Sequence, residues 1–523
     1  MGKLLEGWAP QSEITAGEMR RGMDRLVQES VYSSATTAMT SGVILTAFAL
    51  HLGASNFVVG LLASAPFLGQ LLQGPAILLV EKLRQRKLIA VVSSVVGRSM
   101  LLLMAAAVLL PPGIGLAVVV LAQCVLCGVT AFGACSWNAW LRDLVPDRQL
   151  GDVVARRTVY ATMVSLVAGL LAAFTLDRPG GTPEQRDYVF LALYAVGFIG
   201  GMISAWLVGR IPEPQMSPRE DRVRLIPLLR QPLGDPNFRR LLVFLVAWQF
   251  AANLATPFFA VYFLRQLGLE MTLVMMLSVV TQVANLLAVR NWGYLSDRFA
   301  NKSVLTVAAP TYILCIAAMV GASQFHNRDL LVAYLIGLHL LMGFAVAGVT
   351  LATANITLRL SPKGSATSYV ATGALASSLA AGLAPLLGGA FADFFARRRF
   401  EILTRWTSPE ETVTLQPLEL SGWDFYFLIA AVFGLYAIHR LALVREEGEI
   451  APRHMLQEVL DQTRRSVRNI STVAGFRAAT ELPGNLLREA RVRARLQRRR
   501  ARRTEVAKVH EDSAAASTIA RGG

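Results

Sequence analysis

Two ionisable residues stand where an apolar sequence has little room for them. Arg98 lies in "VVGRSMLLL", ten residues into a long apolar run, and His339 lies in "LIGLHLLMG". A guanidinium in hydrocarbon costs about 2.5–3.5 kcal/mol on insertion scales, so such a residue faces a cavity or a partner. At 1.5 Å per helical residue, Arg98 is about 15 Å deep. Two roles are open to it: a strut binding carbonyls and helix ends, or the counter-charge of an anionic group on a bound solute. His339 is the one deeply placed group that titrates near neutral pH. It either packs between helices or carries a coupled proton. Glu29 and Asp393 are expected near span ends, leaving no carboxylate at that depth, so carboxylate-based proton coupling is not expected.

Uncharged polar residues in the same runs could bind a solute. Gln249 and Asn253 are four apart, on one helix face, with Pro257 four further along. Thr281, Gln282 and Asn285 fall in one run, and Tyr32, Thr36, Thr37 and Thr40 in another. Each also reads as an interhelical hydrogen bond, worth about 0.6 kcal/mol in membrane proteins. Catalysis has no such foothold. The chain carries no HExxH, GxSxG or P-loop pattern, which argues against an enzyme or an ATP-driven pump. Cys124 and Cys127 form a CxxC inside an apolar run with no second pair, so they read as small packing residues. No metal or cofactor is expected.

The elements that hold these residues are membrane helices. The chain is 54% hydrophobic and 16% charged, against about 25% charged for soluble domains, and its mean hydropathy is +0.47. Runs of about 20 apolar residues mark spans. Twelve occur, at 30–52, 56–80, 88–110, 114–140, 159–176, 188–209, 241–264, 271–294, 303–323, 330–357, 366–394 and 424–444. The expected fold is an all-α polytopic membrane protein of twelve transmembrane helices in two six-helix halves. The connections leading from even to odd spans hold 19 Lys and Arg, the others 8. That asymmetry puts both termini in the cytoplasm. Arginine outnumbers lysine 45 to 6, which suggests a GC-rich bacterium and an inner membrane.

The expected division is a cytoplasmic segment 1–29, a half at 30–209, a Pro-rich charged linker at 210–240, a half at 241–444, and a basic tail at 445–523. The densest basic stretch is "REARVRARLQRRRARR" at 488–503. Near anionic lipid each basic residue contributes about 1 kcal/mol. The stretch has no aromatic residue on which bases could stack, so nucleic acid is not an expected partner.

A repeat links the halves. Glu81-Lys82 and Asp297-Arg298 are 216 positions apart, and so are Pro146 and Pro362, and Leu144 and Leu360. The second-half copy, "GYLSDRFANK" from Gly293 to Lys302, resembles the loop signature of the major facilitator superfamily: Gly, three residues, Asp-Arg, one residue, usually Gly, then basic residues. Ala300 replaces the second Gly. In the first half Ile77 and Arg84 stand at the two Gly positions. The resemblance implies a secondary transporter that alternates access by rocking two halves. It implies that Gly293, Asp297, Arg298, Glu81 and Lys82 form cytoplasmic gates, each Asp or Glu capping a neighbouring helix N-terminus. It also implies a cavity lined by spans one, four, seven and ten, with Tyr32, Thr36, Gln123, Gln249 and Asn253 as liners and Gln282, Asn285 and Arg98 as further candidates. The implied partner is a small solute, and the implied state a monomer. The alternative is a transport-inactive relative that acts as a membrane sensor or scaffold through its tail.

Overall fold

The computed structural model describes residues 10–12, 14–178, 183–216, 229–362, 365–396, 398, 400–407, 412–420 and 422–471. The basic stretch 488–503 lies outside them. Eleven helices are long and apolar enough to cross a membrane, and Asn56–Gln70 with Gln73–Leu83, bent by 41°, make a twelfth span.

The first span is Ala16–Thr40 followed by Val43–His51. It begins well before residue 30, where the apolar run starts. A capping box sets that beginning, with the Thr15 side chain on the Glu18 N–H and Glu18 reaching back. Gly42, at φ 58, breaks the span, a backbone conformation that costs glycine little. Spans three to six are Arg86–Ala106, Pro112–Leu144, Asp147–Leu176 and Pro183–Gly209. Spans seven to twelve are Pro236–Val261, Met271–Arg298, Asn301–Ala318, Arg328–Arg359, Ala366–Phe395 and Gly422–Ala442. Between spans eleven and twelve, Phe400–Thr407 and Thr412–Leu420 pair as an antiparallel hairpin. A further helix covers Pro452–Ser471.

Large apolar side chains remain exposed around the bundle, among them Leu121 at 67%, Leu287 at 65% and Val432 at 64%. In water such a belt would aggregate; against lipid tails it is at home. Small residues fill the seams instead, because helix contact in a membrane is driven by close packing.

Each half is tied at the end that holds the segments after spans six and twelve, called here the terminal end. Glu213, after the sixth span, accepts from the backbone N–H groups of Arg86 (2.7 Å) and Lys87 (3.1 Å) at the start of the third. Burial pushes its carboxyl above the usual range, against the pull of those two donors and of Arg86. Arg86, 1% exposed, pairs with Asp143 at 2.6 Å and donates to the Pro214 carbonyl at 3.0 Å. Glu446, after the twelfth span, does the same for the ninth. It accepts from the Lys302 N–H (2.7 Å) and the Asn301 side chain (2.8 Å), and it pairs with Arg359 (3.3 Å). Arg86 and Lys302 are again 216 apart. Each carboxylate thus supplies an anion to orphan N–H donors at a helix start.

Candidate functional site: a central cavity between two halves

Three of the polar residues buried within the spans, Thr40, Gln123 and His339, line a cavity of about 790 Å³ between the halves. Its walls are built from irregular helix. Ser41 and Gly42, at the break in the first span, line it, as do Pro66 and Pro257 inside spans two and seven. A proline removes the bond to the carbonyl four residues back. The freed oxygens belong to Leu62 and Asn253, both lining residues. Non-regular backbone at membrane depth is tolerated where it lines such a space.

Of the residues singled out from the sequence, Thr37, Thr40, Arg98, Gln123, Asn253, Pro257, Thr281 and His339 line this cavity. Gln282 lines an adjoining recess of about 500 Å³ between spans one, five and eight. Tyr32, Thr36, Gln249 and Asn285 are not among the lining residues. Thr36 is fully buried against the sixth span, where its hydroxyl donates to the Gly197 carbonyl at 3.1 Å. Gln249 accepts from Asn253 through its backbone carbonyl at 2.8 Å and its side chain at 3.3 Å. Gln123 donates to Cys127 at 3.4 Å. The His339 Nδ1 lies 2.8 Å from the Leu335 carbonyl. A carbonyl only accepts, so Nδ1 carries the hydrogen and Nε2 is left with a lone pair.

Arg98 donates to the Ser33 hydroxyl at 2.9 Å, and its stem lies where a Cβ on Gly201 would sit. It is in electrostatic reach of Glu29. Glu29, next to the start of the apolar run, lies inside a helix that begins at Ala16. It is 7% exposed inside the lengthened first span, pairs with Arg157 at 3.6 Å and accepts from Ser204 at 3.2 Å. The acid in this neighbourhood was concealed by the charged residues that precede it.

The hydrogen bonds identified between the halves lie at the end opposite the terminal one. Asp393, closing span eleven, accepts from the backbone N–H groups of Asn56 (3.0 Å) and Phe57 (2.9 Å), which open span two. Asp177, closing span five, accepts from Met271 (2.9 Å) and Thr272, which open span eight. Arg265 donates to the Ala54 carbonyl at 2.7 Å. Backbones meet there: a Cβ on Gly60 would fall 2.1 Å from the Pro385 oxygen, and one on Gly389 would fall 2.5 Å from the Asn56 oxygen. Nothing in the sequence marks Asp177, and hydropathy places Asp393 only near a span end. The 216-residue offset also relates these two.

Toward the terminal end the halves part. Residues 73–83 of span two pack against spans three and four of their own half, while residues 56–70 pack on span eleven. Asp297, Arg298 and Lys82 are exposed here and Glu81 is half-buried. The Arg298 guanidinium lies over the Phe299 ring, 4.9 Å from its centre. Gly293 has room for a Cβ, its nearest neighbour being Leu351 at 3.9 Å.

Two six-helix bundles, sealed at one end around a polar cavity and parted at the other, define an alternating-access carrier. The sequence profile of the Major Facilitator Superfamily matches residues 30–385, and the chain belongs to that family. No curated protein matches the sequence. Among solved structures, the nucleoside transporter NupG superposes with a TM-score of 0.60 at 11% identity, covering 81% of this chain and 98% of that one. A D-xylose–proton symporter gives 0.60 at 14%, covering 82% and 99%. A bacterial homologue of the human lysosomal transporter Spinster, inward-facing and unoccupied, gives 0.56 at 14%, covering 85% and 99%. At these identities the likeness is one of fold. The protein is a multi-pass membrane transporter that moves a small solute by alternating access.

Proposed function

We propose that the solute is a small molecule of no net charge with both hydroxyl-like and apolar faces. One observation carries this reading. Arg98 is the only formally charged side chain among the described residues lining the cavity, and it donates to Ser33 within electrostatic reach of Glu29. The rest of the wall pairs hydroxyl and amide groups, such as Ser41, Gln123, Asn253 and Thr281, with Phe67, Phe259 and Met342. A cavity of this size suits a solute of ordinary ligand dimensions. The purified chain in liposomes should take up a labelled hexose, pentose or nucleoside saturably and leave succinate and tetraethylammonium outside. Saturable uptake of the charged probes alone would overturn the reading.

Proton coupling through His339 is the second part of the proposal, supported by a free Nε2 lone pair on a cavity-lining ring. In the same liposomes an imposed pH gradient should change the initial rate of the wild-type and leave His339→Gln unaffected. A wild-type rate that ignores the gradient would remove the role.

We place the termini in the cytoplasm of a cell whose inner membrane holds the chain as a monomer, with anionic lipid at the basic tail. The loop charge asymmetry supports that orientation, which makes this an inward-open state. The gate assigned to Gly293, Asp297, Arg298, Glu81 and Lys82 is then open. An acid capping a helix start gains about 0.3–1 kcal/mol, up to ~2 when partly buried. Asp297→Asn should slow initial transport about tenfold with unchanged membrane insertion. An unchanged rate would leave Asp297 as a topology signal.

A further inference from the structure

We propose that Asp177 and Asp393 are a matched pair of latches that hold the far end shut and release it in each transport cycle. The reading rests on alternating access and not on the identity of the solute.

Each aspartate closes the fifth span of one half and caps the second span of the other. Both oxygens of Asp393 are engaged, one by the Asn56 N–H and one by the Phe57 N–H, and both oxygens of Asp177 are engaged by the N–H groups of Met271 and Thr272. The first N–H groups of a helix have no partner within it. Their aligned dipoles favour an anion at that end. Span eight has no cap of its own, since Glu270 at the N-cap position makes no side-chain bond to it. Its cap comes from the opposite half. In span two the local cap, Ser55, reaches only the Val58 N–H, and Asp393 takes the two donors before it.

The two sites are related by the internal repeat. Asp177 and Asp393 are 216 apart, and the helix starts they cap are 215 apart. A bond made twice across a seam, in each direction, is not explained by the folding of either half. It is explained by the seam. Parting the halves at this end breaks four charge-assisted bonds together and leaves two carboxylates and four N–H groups to find water. The latches therefore favour the conformation seen here, with the far end closed and Asp297 exposed. Their strength sets how often the other conformation is reached.

The test uses the full chain in lipid nanodiscs, with the four native cysteines replaced by serine, and needs no solute. One reporter is Ala54→Cys, at the closed seam, where Ala54 is 1% exposed. The other is Gln70→Cys, midway along span two just before its bend, exposed and on the same face as the cavity-lining Pro66. Adding Asp177→Ala with Asp393→Ala should speed maleimide labelling at position 54 about tenfold and slow it at position 70. Asp→Asn at both sites keeps one acceptor oxygen each and should fall between. If labelling at both positions rises, the aspartates only hold the bundle together. If neither changes while the protein unfolds at its usual temperature, the latch is absent. Either result overturns the proposal.

Discussion

Gly60→Val should abolish most transport without unfolding the protein. The Gly60 Cα faces the Pro385 carbonyl so closely that an added Cβ would fall 2.1 Å from its oxygen and 3.4 Å from the Phe258 ring. The oxygen belongs to backbone in another helix and cannot rotate aside. Overpacking of this kind costs about 1–3 kcal/mol, and more where the neighbour is rigid. The clash exists only while the far end is closed, because spans two and eleven belong to different halves. The substitution therefore penalises one conformation of the cycle and spares each six-helix unit. Initial uptake in liposomes should drop about a hundredfold, since each 1.36 kcal/mol is a factor of ten in rate. Detergent-purified protein should keep its elution profile and lose only a few degrees in unfolding temperature. Uptake within twofold of wild-type would show that the seam relaxes and that the contact at Gly60 is incidental.

Glu213→Ala is the substitution with the largest expected effect on stability. Glu213 is 1% exposed, and its removal leaves two helix-start N–H groups without their acceptor and takes from the equally buried Arg86 one of its two carboxylates, the other being Asp143. Removing one partner of a buried ion pair costs about 3–5 kcal/mol where the remaining charge is left uncompensated; Asp143 still compensates Arg86, so the loss falls toward the lower figure and comes largely from the two unpaired N–H groups. Replacing both partners with apolar residues of similar volume is often neutral. Glu213→Ala should therefore lower the unfolding temperature sharply in a detergent thermal scan, and Arg86→Met with Glu213→Leu should recover most of the loss. A single variant as stable as wild-type would mean that water reaches the site and solvates Arg86.

The span plan was legible because a bilayer imposes a length and a composition that few sequences meet by accident. The helix beginnings were less so. Span one starts at Ala16 and not at residue 30, since helices run past the hydrocarbon and the charged turn from Glu18 to Glu29 interrupts the apolar run. The Thr15 to Glu18 spacing was the available signal for that earlier start. Arg98 was visible as an anomaly, but its neighbour Glu29 was hidden by that same interruption. Gln123, Asn253 and His339 reach the cavity; Thr36 turns to the sixth span, because one helix face cannot tell a cavity from a neighbour. The far-end aspartates were the harder case. Each bonds across more than 90 residues of sequence, from Asp177 to Met271 and from Asp393 to Asn56. Hydropathy carries no information about such a pairing. Only the 216-residue repeat, extended beyond the loops that share it at the terminal end, brings the two acids into correspondence.

The reciprocal capping has a consequence for how such a chain is assembled. When residue i of one unit grips residue j of a second, and the second returns the same grip, the contact is isologous, the signature of a two-fold homodimer. Here both partners lie in one polypeptide. Each six-helix unit presents a carboxylate and a helix start whose first N–H groups it does not fill itself, so the surface is complementary to its own rotated copy. Covalent connection through the segment at 210–240 adds proximity to that recognition: it raises the local concentration of one self-complementary surface around another.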